Sequence, residues 1–335
     1  MKAPWFAPLL AACLLSVPLA AQEKPAQEKP ASDDTVIKVN VDIVNVLFNV
    51  RNKSNGLVPS LEKKDFQVFE DGKPQDIKYF TRETDLPLTI GLLVDTSLSQ
   101  ERLLDTERRA AFQFFSKVLR PKDLAFLMQF GAEAELLQDD TNSPKLLQEG
   151  LSQLHMSVPV GGLNPGPVPT QQSQAGTILF DAVFLASDEK LRHEVGRKAM
   201  VLITDGVDTG SKYSISKAIE AAQKADSIVY SIDYEDPSAY GRGFGVITIG
   251  GGGGERDLGK MSSETGGRVF RVDRKNSLDD IFREIQDEMR SQYSIGFTPA
   301  NPKKDGSYHK IEIRAANKEY KVQARKGYYA VEPEN

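Results

Sequence analysis

The spacing of apolar residues along the chain changes twice. Between residues 35 and 83 it has the two-residue period of strands. "VNVDIVNVLFNV" alternates or runs apolar, "NKSNG" breaks it as a turn, and "DFQVFEDGKPQDIKYF" predicts two strands around an Asp71-Gly72 hairpin. From Leu86 strands and helices alternate. "LTIGLLVD" is a continuous apolar run, as in a strand buried on both faces of a parallel sheet. "RLLDTERRAAFQFFSKVL" has helical spacing and is stopped by Pro121. "DLAFLMQF" predicts a strand, the shorter "AELLQ" another, and "SPKLLQEGLSQL" a helix. "TILFDAVFLASDEKLR" predicts a helix opening at Thr177, and "KAMVLITDG" a second buried strand ending in an aspartate. "SISKAIEAAQKA", "SIVYSIDY", "RDLGKMSSETG", "RVFRV" and "SLDDIFREIQDEMRSQ" continue the alternation, with Ser277 placed to cap the last helix. Beyond residue 291 the strand period returns in "YSIGFTP", "YHKIEIRAA" and "YKVQARKGYYA".

This order predicts an α/β protein with a doubly wound, mostly parallel sheet over residues 86–290. Residues 35–85 and 291–331 are expected to pair as a small flanking β-domain, because the ends of a domain often lie close together. Two stretches without pattern, 156–176 and 234–255, are too long for simple connections and are expected to rise from one end of the sheet.

The net charge of −5 and the lack of a basic stripe interleaved with aromatics argue against nucleic-acid binding. Residues 1–21 have the form of an export signal: Lys2, an apolar stretch, then "PLAA" before polar Gln22. The stretch is short and interrupted by proline, so no membrane span is expected after its removal. The sole cysteine, Cys13, lies in "LAAC", which resembles a bacterial lipobox and offers an alternative lipid anchor. Cleavage after Ala21 leaves no cysteine and so no disulfide. Residues 22–34 repeat QEKPA and read as a disordered tether, and the run Gly250–Gly254 reads as a flexible surface loop. Between Pro299 and Tyr329 there are eight Lys/Arg against three Asp/Glu, a solvated strand face or a surface for an acidic partner.

"LLVDTSLSQ" holds the candidate chemistry: a buried strand ends in Asp95, and Ser97 and Ser99 follow at alternate positions. If the chain curls after the strand, one carboxylate and two hydroxyls converge. An all-oxygen donor set with few charges suits a hard cation, Mg²⁺ or a substitute such as Mn²⁺ or Ca²⁺. Six oxygens need more donors than this turn holds. Thr177, at a loop-to-helix junction, and Asp205, at the end of a buried strand, can supply them.

Together these positions read D-x-S-x-S … G-T-x-L-x-D-A … T-D-G, and "LLVDTSLS", "GTILFDAV" and "VLITDGVD" closely resemble a von Willebrand factor type A domain with a complete metal-ion-dependent adhesion site. The resemblance covers residues 86–290, and the flanks resemble exported type A-related proteins of acidobacteria. It implies that Ser97 and Ser99 bind the cation directly, that Asp95 and Asp205 often act through water, and that Thr177 binds directly or indirectly. It also implies that a partner protein's Asp or Glu carboxylate completes the shell. Asp181 is read as a hydrogen-bonder to the metal loop rather than a ligand, and Asp208 as a helix-leading or solvent residue.

Catalytic patterns fit less well. A phosphatase-like Asp95 nucleophile wants an aspartate where Ser97 stands. G-x-S-x-G and H-E-x-x-H are absent, and "DTSLSQ" has no glycine for a dinucleotide fingerprint. The expectation is a non-enzymatic, exported protein-binding module, periplasmic or secreted. A scaffold protein with a non-functional metal site is the alternative, and a hydrolase the distant third.

Overall fold

The computed structural model describes residues 43–82, 86–157, 176–234 and 253–331. The signal, Cys13, the tether and most of both long loops lie outside these residues. The described part of the chain belongs to one compact unit.

The central sheet has six strands in the order β10-β9-β8-β5-β6-β7. Its middle strands β5 (Leu88–Asp95) and β8 (Arg197–Thr204) pair in parallel, as do β5 with β6 (Leu124–Phe130), β8 with β9 (Ser227–Asp233), and β9 with β10 (Val269–Arg271). All eight residues of β5 are buried, because helices cover both faces. On one face α1 (Leu104–Val118), α2 (Pro144–Ser152) and α6 (Leu278–Arg290) pack on Ile90, Leu92 and Val94. On the other, α3 (Leu179–Leu185), α4 (Ile215–Lys224) and α5 (Gly253–Thr265) pack on Leu93, Met200 and Leu202. The expected short "AELLQ" strand is the longer β7 (Ala134–Thr141), an antiparallel edge. Ser277 caps α6 as expected, accepting from Asp280 N.

The ends of the described chain build two further four-stranded sheets. One has the order β13-β1-β11-β4 and the other β14-β12-β2-β3. They combine β1 (Val44–Arg51), β2 (Phe66–Glu70), β3 (Lys73–Gln75) and β4 (Ile77–Arg82) with β11 (Tyr293–Phe297), β12 (Tyr308–Ala315), β13 (Lys321–Ala324) and β14 (Gly327–Tyr329). The Asp71-Gly72 hairpin forms, both residues having positive φ, but the segment after it differs from expectation. It divides into β3 and β4, and β4 leaves β2 to pair with β11 in the other sheet. The shared core centres on Phe48, Phe66, Phe80 and Tyr293. The Tyr293 hydroxyl donates to Val58 O at 2.7 Å and accepts from Leu61 N at 2.9 Å.

Arg197, buried at the start of β8, holds both crossings between the two parts. Its guanidinium donates to Leu86 O (3.1 Å) where the chain enters the central sheet. It also donates to Met289 O and to Gln292 Oε1 (3.4 Å) where the chain leaves. Among the described residues no helix is long and apolar enough to cross a membrane.

Candidate metal centre

Three segments meet at the carboxyl edge of the parallel sheet. The first is the turn after β5. Asp95 is fully buried; its Oδ1 accepts from Ser97 N at 2.9 Å, which starts the curl that the sequence requires. Leu98–Gln100 then form a 3-10 turn, and Ser97 Oγ comes within 3.1 Å of Ser99 Oγ.

The second segment follows β8. Ser99 Oγ donates to Asp205 Oδ2 at 2.7 Å, so the two strand ends are joined through side chains. Thr204, which the sequence reading passed over, donates from Oγ1 to Asp95 Oδ2 at 2.6 Å and accepts from Gly206 N at 3.0 Å. Gly206 has φ of +77°, a conformation open chiefly to glycine. A Cβ there would lie 2.8 Å from the Gly254 backbone, and one on Gly254 would lie 2.6 Å from Asp205 O. The described part of the glycine run is therefore not a loop: Gly253 and Gly254 open α5 and let it approach the Asp205 strand end.

The third segment carries Thr177. Its backbone is clamped, with N–H donating to Thr209 Oγ1 (3.0 Å) and C=O accepting from Thr209 N (3.0 Å) and Gly210 N (3.1 Å). The next residue, Ile178, donates to Gly131 O at 2.9 Å, and Thr96 N donates to Phe130 O at 2.7 Å. These bonds tie the Thr177 segment to the ends of β5 and β6. Thr177 does not open the helix: α3 begins at Leu179, after a non-helical Ile178. Among the described residues Thr177 makes no side-chain hydrogen bond with Asp95, Ser97, Ser99 or Asp205, whereas those four are linked in one network.

Asp181 and Asp208 brace the loop that runs on from Asp205. Asp181 accepts from Lys212 N (3.0 Å) and Tyr213 N (2.8 Å), so its partners lie in this turn rather than at 95–99. Asp208 is not a solvent residue. Its Oδ1 accepts from Phe180 N (3.2 Å) in the first turn of α3 and from Ser211 Oγ (2.5 Å).

The donors fit a hard cation. An octahedral magnesium shell, with metal–oxygen distances of about 2.1 Å, has neighbouring oxygens about 3.0 Å apart. The Ser97–Ser99 and Ser99–Asp205 separations, 3.1 and 2.7 Å, bracket that edge. The charge balance points the same way. Burial pushes the Asp95 carboxyl up to about 6; hydrogen bonds from Ser97 and Thr204 oppose the rise and Asp205 adds to it. Burial, and then Asp95, push Glu107 of α1 well above the usual carboxylate range, and among the described residues neither of its carboxylate oxygens has a hydrogen-bond partner. Burial also raises Asp233 at the end of β9, against the pull of Arg271. The described residues hold no group of three or more His, Cys, Asp or Glu arranged for a metal. That is consistent with a donor set in which hydroxyls outnumber carboxylates.

Residues 169–284 match the family described as the von Willebrand factor type A domain, and the chain carries a domain of this family. The match includes Thr177 and Asp205 and begins after Asp95, Ser97 and Ser99. No curated protein matches the chain. Among solved structures it is similar to BatB from Bacteroides thetaiotaomicron, at 18% identity over 60% of this chain and 97% of that one, with a TM-score of 0.43. It is also similar to the von Willebrand factor domain of the type V pili tip protein Mfa5 from Porphyromonas gingivalis, at 12% identity over 61% and 95%, TM-score 0.45. A third similarity is to proximal thread matrix protein 1 from the mussel byssus, solved with a zinc-occupied adhesion motif, at 15% identity over 64% of this chain, TM-score 0.45. The chain spans 48% of that mussel protein's length.

Proposed function

We propose that the protein is an exported, non-enzymatic binding module that holds a partner protein through a divalent cation at the carboxyl edge of the central sheet. The observation that carries this reading is the network Ser97–Ser99–Asp205, which gathers oxygen donors from two neighbouring strand ends above buried Asp95. Half-buried Ser97 and Ser99 and buried Asp205 bring their oxygens together at this edge. Asp95 orients the turn through Ser97 N and the neighbouring strand through Thr204. Thr177 is the donor on the third side. A bound Mg²⁺ or Mn²⁺ with few direct carboxylates stays electron-poor and attracts an Asp or Glu carboxylate from the partner. Export rests on the form of residues 1–21, with the periplasm or the exterior as destination.

Metal binding is tested by calorimetric titration and by melting temperature. Binding to the native state alone stabilises it by about 2.7 kcal/mol at a hundredfold excess over Kd. Mg²⁺ or Mn²⁺ is expected to raise the melting temperature of the wild type and to leave Asp95→Ala, Ser99→Ala and Asp205→Ala unmoved. Equal responses in all four proteins would overturn the assignment. No heat from the folded wild type would favour a scaffold whose β-sandwich makes the contacts.

Thr177→Ala separates fold from binding. Its hydroxyl has no hydrogen bond among the described residues, so stability is expected to change by about 1 kcal/mol or less. Affinity for a partner captured from the envelope fraction in Mg²⁺ and released by EDTA is expected to fall more than tenfold, about 1.4 kcal/mol. Wild-type affinity in the variant, measured by surface plasmon resonance, would remove the cation from the interface.

A further inference from the structure

From Asp95 to Gln100 the only exposed residue is apolar. Leu98 stands between Ser97 and Ser99 at the start of the 3-10 turn and is 60% exposed, while both serines are half-buried. Single exposed apolar residues are ordinary on a protein surface. Leu98 differs in its position, because the hydroxyls on either side of it lie 3.1 Å apart and Ser99 Oγ donates to Asp205 Oδ2 at 2.7 Å. A second exposed apolar side chain borders the same oxygens. Val207 is 37% exposed, and its N–H donates to Asp205 Oδ1 at 3.1 Å.

The local fold does not call for a leucine at 98. Backbone and polar atoms close the turn: Ser97 N donates to Asp95 Oδ1 at 2.9 Å and Gln100 N to Ser97 O at 2.8 Å. Among the described residues, neither Leu98 nor Val207 joins the apolar clusters that cover the two faces of the central sheet. A serine at 98 would keep the same bonds and give water a polar surface. The apolar surface here is instead open to whatever approaches the serine and Asp205 oxygens.

Adjacent Cα atoms are about 3.8 Å apart, and Leu98 is one residue from each serine. A chain that hands a carboxylate to a cation on these oxygens therefore passes over Leu98. In an extended segment alternate side chains face the same way, about 7 Å apart. An acid directed at the cation then turns the residues two positions before and after it toward the same edge. Given a cation held as in the proposed function, we propose that the edge selects an extended acidic segment with a large apolar residue, Leu, Ile or Phe, two positions from its Asp or Glu. The cation anchors the acid. Leu98, with Val207 at the neighbouring strand end, receives the apolar side chain, and that contact shields the charged anchor from water. Charge complementarity requires the acid, and the exposed apolar pair decides which acidic segments are held.

The test pans a phage-displayed random peptide library on the full chain in Mg²⁺ and elutes with EDTA. Peptides released from the wild type are expected to carry an Asp or Glu with Leu, Ile or Phe two positions away. The best of them, synthesised and titrated by calorimetry, is expected to bind Leu98→Ser about tenfold more weakly, the scale set by burying one aliphatic side chain. Val207→Ser is expected to lose less, and Leu98→Met to keep wild-type affinity. The melting-temperature response of Leu98→Ser to Mg²⁺ is expected to equal that of the wild type, which separates loss of the apolar contact from loss of the ion. Acidic peptides without an apolar preference, apolar peptides that EDTA does not release, or equal affinity for wild type and Leu98→Ser would each overturn the proposal and leave the cation site standing. A Leu98→Ser chain that no longer responds to Mg²⁺ would overturn it as well, since the leucine would then be shaping the turn. If EDTA releases no acidic peptide from a wild type that does respond to Mg²⁺, the carboxylate partner falls and this proposal with it. A wild type without any Mg²⁺ response marks the separate failure of the cation site.

Discussion

A chain ending at residue 291 is expected to lose its β-sandwich and to aggregate. The segment it lacks does not decorate the N-terminal strands; it runs between them. β11 lies between β1 and β4, and β12 lies between β14 and β2, so each sheet loses an inner strand. Tyr293, Ile295, Phe297, Ile311 and Ile313 are all buried in the shared core. At about 2 kcal/mol for each buried apolar side chain, their loss is on the order of 10 kcal/mol, comparable to the whole stability of a typical domain. β1 and β4 would also present unpaired edges, which favours association with other chains. Sedimentation and circular dichroism of the truncated protein read the effect. A soluble chain with the full-length unfolding transition would show that the sandwich does not depend on these strands.

What the sequence revealed depends on the range of the interaction. The central sheet was legible because burial on both faces leaves an uninterrupted apolar run, as in "LTIGLLVD" and "KAMVLITDG". The curl from Asp95 to Ser99 is also local: one backbone bond to Asp95 and a 3-10 turn produce it. The division of β3 from β4 was not legible. "KPQDIKYF" reads as one strand, and only the partner, β11, drawn from more than 200 residues away, decides that Ile77 onward joins another sheet. Thr204 was missed for the same reason. In its own strand it is simply the last residue, and its bond to Asp95 exists because β8 lies beside β5. Gly254 was hidden inside a low-complexity run, and its close approach to Asp205 depends on where α5 packs. The partner of Asp208, read as a helix-leading or solvent residue, was hidden because Phe180 N, which it accepts from, belongs to a helix that precedes it in the chain.

Replacing Glu288 with alanine is expected to cost about 3–5 kcal/mol, the usual penalty for removing one member of a buried ion pair. Glu288 projects from the last turns of α6, and its side chain is fully buried. Its Oε1 accepts from Arg51 Nη2 of β1 and from Arg268 Nε, each at 2.5 Å, and its Oε2 accepts from Gln323 Nε2 of β13 at 3.0 Å. One carboxylate thus holds two guanidinium groups and joins the last helix of the type A domain to two strands of the β-sandwich. Without it, Arg51 and Arg268 face each other in a low-dielectric interface with no shared counter-charge. Glu288→Gln, which keeps the shape and an acceptor oxygen but not the charge, is expected to lose less. The triple variant Arg51→Met/Arg268→Met/Glu288→Leu is expected to recover much of the loss, since matched apolar side chains avoid the desolvation cost altogether. Because the network spans the two parts, calorimetry of Glu288→Ala is also expected to resolve the unfolding of the sandwich from that of the type A domain. A loss under about 1 kcal/mol, with a single transition kept, is the behaviour of a solvated surface pair; it would show that Arg197 and the paired strands hold the two parts together without this carboxylate.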